Sequence, residues 1–151
     1  MAKEIERKFI VINDTYKALA YECCYIKQGY ISTDKESTIR IRIIDKDAFI
    51  TIKGITIGIT RNEWEYKIPY SDACEMLDNI TKGNLIEKKR YYLNHCGYKW
   101  EIDEFLGSHA GLVIAEIELK EEDEIFPLPV FVGEEVTGNP IYYNSTLALI
   151  P

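Results

Sequence analysis

Long apolar runs are missing from this 151-residue chain. No stretch approaches the roughly 18 consecutive apolar residues of a membrane-spanning helix, so no membrane partner of that kind is expected. The segment Met1-Ala2-Lys3-Glu4 leads directly into alternating charged residues with no apolar signal core, so a cytoplasmic location is expected. Histidine occurs only twice and no CxxC pair exists, so His95-Cys96 and His109 lack the spacing of a zinc site. Without a secretion signal, Cys23, Cys24, Cys74 and Cys96 are expected to be reduced core thiols. A basic excess is missing too. Lys+Arg is 18 against 25 Asp+Glu, a net charge of −7, and that field repels nucleic-acid phosphates; no nucleic-acid partner is expected. No linker, repeat or low-complexity block divides the chain, so one domain over residues 1–151 is expected.

Most of the chain alternates with period two rather than 3.6. Strands are predicted over Glu4–Ile12, Tyr25–Ser32, Thr38–Ile44, Ala48–Lys53, Ile59–Pro69, Leu85–Leu93, Tyr98–Phe105 and Leu112–Lys120. Asp45-Lys46-Asp47, Asn94 to Gly97 and Gly107 to Gly111 supply turns. Helices are few. Asn13 or Asp14 caps a short one with Tyr16, Leu19, Ala20 and Cys23 on one face. Asp72 and Glu75 resemble a capping box ahead of Met76, Leu77 and Ile80, with Gly83 as the stop. A further helical turn or two is expected after Pro129. The fold class is mainly β, antiparallel, with helices at the edges.

The polar face of these strands is dense in ionisable groups at i, i+2 spacing, and side chains two apart point the same way. Glu4, Glu6 and Lys8 share one face; so do Arg40 and Arg42, Arg61, Glu63 and Glu65, Lys88 and Arg90, Glu101 and Asp103, and Glu116 and Glu118, with Lys53 alone on its strand. A solvated sheet face is the ordinary explanation of such charge. Here, however, arginines and carboxylates cluster by strand. The arginine fork suits phosphate oxygens, and paired carboxylates suit a hard divalent cation. If the sheet closes, this face becomes a polar lumen holding seven basic and eight acidic groups, one net negative charge. Two Mg²⁺ would bring it to about +3, against about −4 for a triphosphate whose terminal pKa lies near 6.

Glu4-Ile5-Glu6-Arg7-Lys8-Phe9 resembles the ExExK signature of the CYTH family, the triphosphate tunnel metalloenzymes. Gln28-Gly29-Tyr30-Ile31, Thr38-Ile39-Arg40-Ile41-Arg42, Thr51-Ile52-Lys53-Gly54 and Arg61-Asn62-Glu63-Trp64-Glu65-Tyr66 resemble the family's successive strands. So do Lys88-Lys89-Arg90-Tyr91, Trp100-Glu101-Ile102-Asp103-Glu104-Phe105 and Ala115-Glu116-Ile117-Glu118-Leu119, the tail Gly133 to Thr137, and in part Tyr142 to Leu147. The resemblance implies a closed eight-stranded antiparallel β-barrel forming a polar tunnel, with a few peripheral helices. It implies Mg²⁺ or Mn²⁺, as two ions, on Glu4, Glu6, Asp103, Glu116 and Glu118. It implies phosphate binding by Lys8, Arg40, Arg42, Lys53, Arg61, Lys88 and Arg90, with Lys8, Glu6, Arg40 and Glu63 closest to the chemistry. Glu63 and Glu65 complete the acidic wall or orient a basic partner. One departure stands out: many relatives carry a basic residue where Ile141 precedes Tyr142.

The implied activity is metal-dependent hydrolysis of a small-molecule triphosphate, above all inorganic tripolyphosphate. A class IV-type adenylyl cyclase or a thiamine triphosphatase is the alternative, and a non-catalytic polyphosphate- or nucleotide-binding module a further one. Most Tyr and Trp residues sit at outward strand positions and read as packing. Tyr16, Tyr21, Trp64 and Tyr143 are the outward aromatics that would cover the barrel or form a homodimer face.

Overall fold

The computed structural model describes residues 3–150. Nine strands and three short helices follow in order: β1 (Lys3–Val11), α1 (Tyr16–Leu19), β2 (Glu22–Ser32), β3 (Thr38–Ile44), β4 (Asp47–Lys53), β5 (Thr60–Ile68), α2 (Tyr70–Asn79), β6 (Lys82–His95), β7 (Tyr98–Phe105), β8 (Val113–Glu118), β9 (Val132–Glu135) and α3 (Asn144–Leu147). The sheet runs β5-β4-β3-β2-β6-β7-β8-β1, and β1 pairs back onto β5, closing an eight-stranded antiparallel barrel. The short β9 is added to the far half of β1, beyond its pairing with β5. No helix among the described residues is long and apolar enough to cross a membrane.

Period-two alternation sorts side chains between lumen and exterior. Outward residues Phe9, Trp100, Ile102, Ala115 and Ile117 form one apolar cluster, covered by Tyr16 of α1 and by Phe131. A second cluster joins Ile41, Ile43 and Ala48 to Ala73 and Leu77 of α2. The apolar core thus wraps the outside of the barrel, where its burial drives closure. One end of the lumen is apolar as well: Tyr30, Ile86, Phe105 and Ile114 meet Leu147 and Ala148 and form a floor.

Turn chemistry explains several corners. Cys96 (φ 50) and Gly97 (φ 82) both take positive φ in the two-residue β6–β7 turn, as a type I′ hairpin requires. Cys96 is therefore a turn residue. It and Cys23 are exposed and Cys74 is half-buried, so only Cys24 is the buried thiol expected of all four; all are free.

Local expectations fail in four places. Cys23 lies in β2 rather than on α1, which ends at Leu19. No side-chain cap closes the start of α2, because Asp72 already lies inside the helix, which begins at Tyr70 after Pro69. Gly83 does not stop α2. It sits in β6 with φ 71, where a Cβ would stand 2.3 Å from the Ala148 carbonyl oxygen, so glycine admits the C-terminal segment there. The tail after Pro129 contributes the strand β9 as well as the expected helical turns.

Candidate active site

Closure gathers the charged face into a cavity of about 360 Å³. Its lining includes Glu4, Glu6, Lys8, Arg40, Arg42, Lys53, Arg61, Glu63, Glu65, Lys88, Arg90, Glu101, Glu116 and Glu118. Every sequence-derived site residue is therefore in the lining except Asp103. The charges are segregated. Carboxylates come from β1, β5, β7 and β8, and Glu6 faces Glu118 and Glu116 faces Glu101 across the ladders. Most cations come from β3, β4 and β6, with Lys8 of β1 and Arg61 of β5 set among the carboxylates.

On the basic side, each cation is held by a specific acceptor. Arg40 Nη2 donates to Thr51 Oγ1 at 3.1 Å and lies 3.4 Å from Glu65 Oε2, while its buried Nε has no partner. Lys53 Nζ sits between Glu4 (3.1 Å) and Glu63 (3.2 Å). Glu63 and Glu65 thus orient basic partners. Arg61 donates to the Gly54 carbonyl at 3.1 Å. Arg42 Nε donates to Gln28 Oε1 at 2.9 Å, and no carboxylate among the described residues forms an ion pair with it. Burial, with Arg40 and Arg90 adding to it, lowers the Arg42 guanidinium to about 10.

Asp103 stands behind the lining. Its Oδ1 accepts from Arg90 Nε at 2.7 Å, and its Oδ2 accepts from Arg90 Nη2 and Lys88 Nζ, both at 2.8 Å. Despite burial, these two cations hold its carboxyl well below the ordinary carboxylate range. Both oxygens are engaged, so the geometry makes Asp103 the anchor of Lys88 and Arg90. This differs from the metal-ligand role that the resemblance implied. Burial lowers the Lys88 ammonium to about 7; Asp103 pulls the other way, and Arg90 and Arg42 add to the lowering.

On the acidic side, negative charge is in surplus. Burial, then Glu116 and Glu4, push the Glu6 carboxyl up to about 8. Burial raises Glu4 against the pull of Lys53, and burial with Glu4 raises Glu118. Glu116 is the exception: burial works against its charge, but Lys8 holds it down to about 2. Lys8 Nζ lies 3.4 Å from Glu116 and 3.9 Å from Glu6. Burial opposes the Lys8 charge, yet Glu116 and Glu6 keep its pKa above the ordinary lysine value. Among the described residues no three carboxylate, His or Cys side chains already converge as a ready-made metal site. Glu4, Glu6, Glu116 and Glu118 nonetheless supply only hard oxygen donors, and burial together with neighbouring carboxylates raises Glu4, Glu6 and Glu118, a donor set that fits a hard divalent cation.

The CYTH domain model matches residues 2–146. The chain belongs to the CYTH family. Among CYTH-related proteins, an inorganic triphosphatase of Acetivibrio thermocellus is 48% identical over 151 residues, covering 100% of this chain and 96% of that protein. An inorganic triphosphatase of Nitrosomonas europaea is 36% identical over 97% of each chain. The crystal structure of an inorganic triphosphatase superposes with a TM-score of 0.69 at 34% identity, covering 99% of this chain and 96% of that one. A Hippeastrum adenylyl-cyclase-related protein superposes at 0.60 with 16% identity over 78% of this chain and 80% of that one, a likeness of fold.

Within this CYTH barrel, several lining residues carry no charge pattern and escaped the sequence reading as site residues: Tyr30, Tyr92, Thr137, Tyr143 and Asn144. Tyr143 was expected to face outward, but the Lys8 ammonium sits 5.5 Å from its ring centroid inside the cavity. Tyr16 of α1 covers the outside of the barrel as expected, 2% exposed, and donates to Glu104 at 2.7 Å. Gln28 was noted only as part of a strand motif, and its inward phase on β2 was the available signal. Asn144 lies in Tyr142 to Leu147, which resembles the family in part, but no charge or alternation there marks it as a site residue.

Proposed function

We propose that this protein hydrolyses inorganic triphosphate in a reaction that depends on a divalent metal, Mg²⁺ or Mn²⁺. The observation that carries the reading is the lumen itself, a single cavity with a cationic wall opposite a carboxylate wall. Two relatives named as inorganic triphosphatases, at 48% and 36% identity over nearly the whole chain, support it.

Triphosphate hydrolysis breaks one phosphoanhydride bond by attack of water on phosphorus and yields pyrophosphate and phosphate. The demand on the protein is positioning and charge neutralisation. Arg40, Arg42, Lys53, Lys88 and Arg90 would grip the phosphate oxygens, the arginines through their forks. Arg42 is suited to this because its charge is not already spent on a carboxylate. Lys8, set within the carboxylate wall, would reach the end of the anion nearest Glu6 and Glu116. Glu4, Glu6, Glu116 and Glu118 would hold the metal. When bound, that metal would neutralise phosphate charge and lower the pKa of a coordinated water. Glu63, Glu65 and Asp103 would keep their cations aimed inward. The apolar floor of Ile86, Phe105, Ile114 and Leu147 excludes water from one end.

Phosphate release from tripolyphosphate, ATP, thiamine triphosphate and pyrophosphate, measured side by side with Mg²⁺ or Mn²⁺, tests this. Fast release from tripolyphosphate alone is the expected result. Cyclic AMP formed from ATP would move the protein to cyclase chemistry. Thermal stabilisation by tripolyphosphate without turnover would make it a binding module.

A further inference from the structure

We infer that Gln28 and Asn144 are positioning residues, which aim Lys88 and Arg42 at a bound triphosphate without neutralising them. The inference rests on the triphosphate reading of the lumen.

Lys88 has three ammonium hydrogens and is 1% exposed. Asp103 Oδ2 accepts one at 2.8 Å and Asn144 Oδ1 accepts another at 2.9 Å, which leaves one for a ligand. A lysine stem has four rotatable bonds, and two fixed acceptors on different elements remove that freedom. Asn144 arrives from α3, 56 residues along the chain, so the aim of Lys88 on β6 is set by the C-terminal segment.

The amides can adopt only one orientation each. Arg42 is donor-only, so the Gln28 oxygen must face Arg42 Nε, at 2.9 Å. The Gln28 amide nitrogen then donates to the Tyr30 hydroxyl at 3.0 Å and to Asn144 Oδ1 at 3.2 Å. That donation, together with Lys88, requires the Asn144 oxygen to face inward. A flip at either residue would set an NH₂ group against a cation. The chain Arg42–Gln28–Asn144–Lys88 therefore ties cations of two strands, β3 and β6, into one arrangement, and Gln28 at its centre is 0% exposed. Carboxylates also orient cations in the lumen, as Glu65 does Arg40 and Glu63 does Lys53, and Lys88 already shares Asp103 with Arg90, whereas Arg42 pairs with no carboxylate among the described residues. Gln28 and Asn144 supply oxygen acceptors that orient Arg42 and Lys88 without adding negative charge beyond that of Asp103.

The test compares wild type, Asn144→Ala, Asn144→Asp and Gln28→Glu in three measurements. These are the dissociation constant for tripolyphosphate by calorimetry in metal-free buffer, kcat and KM for tripolyphosphate with Mg²⁺, and the Lys88 ammonium signal in a spectrum of ¹⁵N-lysine-labelled protein. Asn144→Ala should weaken binding and lower kcat/KM about 10- to 100-fold, the size of one hydrogen bond to a charged group. It should also erase the slowly exchanging Lys88 signal. Gln28→Glu and Asn144→Asp keep size and acceptor oxygens and should fold. They should raise KM about tenfold or more by neutralising a phosphate-facing cation, a loss that a role confined to holding α3 in place would not produce. If Asn144→Ala fails to fold, these two isosteric variants decide. Folded variants that bind tripolyphosphate and turn it over as wild type does would overturn the inference while leaving the hydrolase reading intact. Wild type that binds tripolyphosphate but does not cleave it, with weaker binding in the variants, would sink the hydrolase reading and support this one. Wild type that neither binds nor cleaves tripolyphosphate would overturn both.

Discussion

Lys88 Nζ lies 2.8 Å from Asp103 Oδ2, with both side chains 1% exposed. The same carboxylate takes a two-pronged bond from Arg90, so one buried anion serves two cations. Asp103→Ala leaves Lys88 buried without its counter-charge and Arg90 with Glu101 alone, at 2.9 Å, and breaking such a buried pair costs about 3–5 kcal/mol. Chemical denaturation should show that loss. Tripolyphosphate should then stabilise Asp103→Ala more than it stabilises wild type, because the anion replaces the missing charge. An unchanged melting temperature in the variant would contradict the anchoring role.

Lys88 also sets a pH dependence. Its pKa of about 7 in the free protein is lowered by burial, and a bound triphosphate favours the charged form. Affinity due to Lys88 is therefore full below pH 7 and falls as pH rises above it. The last terminal proton of tripolyphosphate titrates identically against wild type and variant, so the comparison with Lys88→Met isolates the lysine. Calorimetry between pH 7 and 9 should show proton uptake on binding and weakening affinity. Lys88→Met should flatten the slope; an identical slope in wild type and variant would assign it to another group.

Glu6→Gln and Arg42→Ala should both lower turnover by about 10²- to 10³-fold, the usual size of losing one preorganised charge contact. Their folding should differ in sign. The Glu6 pKa of about 8 lies above the ordinary carboxylate value. Its contribution to stability is therefore full below about pH 4.5 and is lost as pH rises through about 8. Above pH 8, metal-free Glu6→Gln should melt higher than wild type. Arg42→Ala leaves Gln28 Oε1 without its donor and should melt lower.

Ile141 is 62% exposed in the 3₁₀ turn Pro140–Tyr142 and does not line the cavity. Ile141→Lys should change kcat/KM for tripolyphosphate less than about twofold, the scale of a surface substitution. A larger gain would show that the turn folds over the lumen during turnover.

The barrel was legible because charge and apolar character alternate with period two on seven strands, and a one-residue error would invert a whole strand. Thr38–Ile44 and Tyr98–Phe105 were read to the residue for this reason. β9 escaped because four residues, Val132–Glu135, carry too little alternation, and it is held mainly by β1. Asp103 shows the limit for the site. Its inward phase was readable, but its commitment to Lys88 and Arg90 depends on depth, which the one-dimensional pattern does not encode. Tyr143 and Asn144 lie beyond the last strand and reach the lumen only because the C-terminal segment folds back over Gly83, where Asn84 N donates to the Ala148 carbonyl at 2.7 Å.

The most direct test strips the protein of metal with chelator, then follows phosphate release from tripolyphosphate before and after Mg²⁺ or Mn²⁺ is added, with Glu6→Gln alongside. The account predicts no release without metal, rapid release after addition, and little recovery in Glu6→Gln. Equal release with and without metal, or full activity in Glu6→Gln, would contradict the assignment of the carboxylate wall to a catalytic cation.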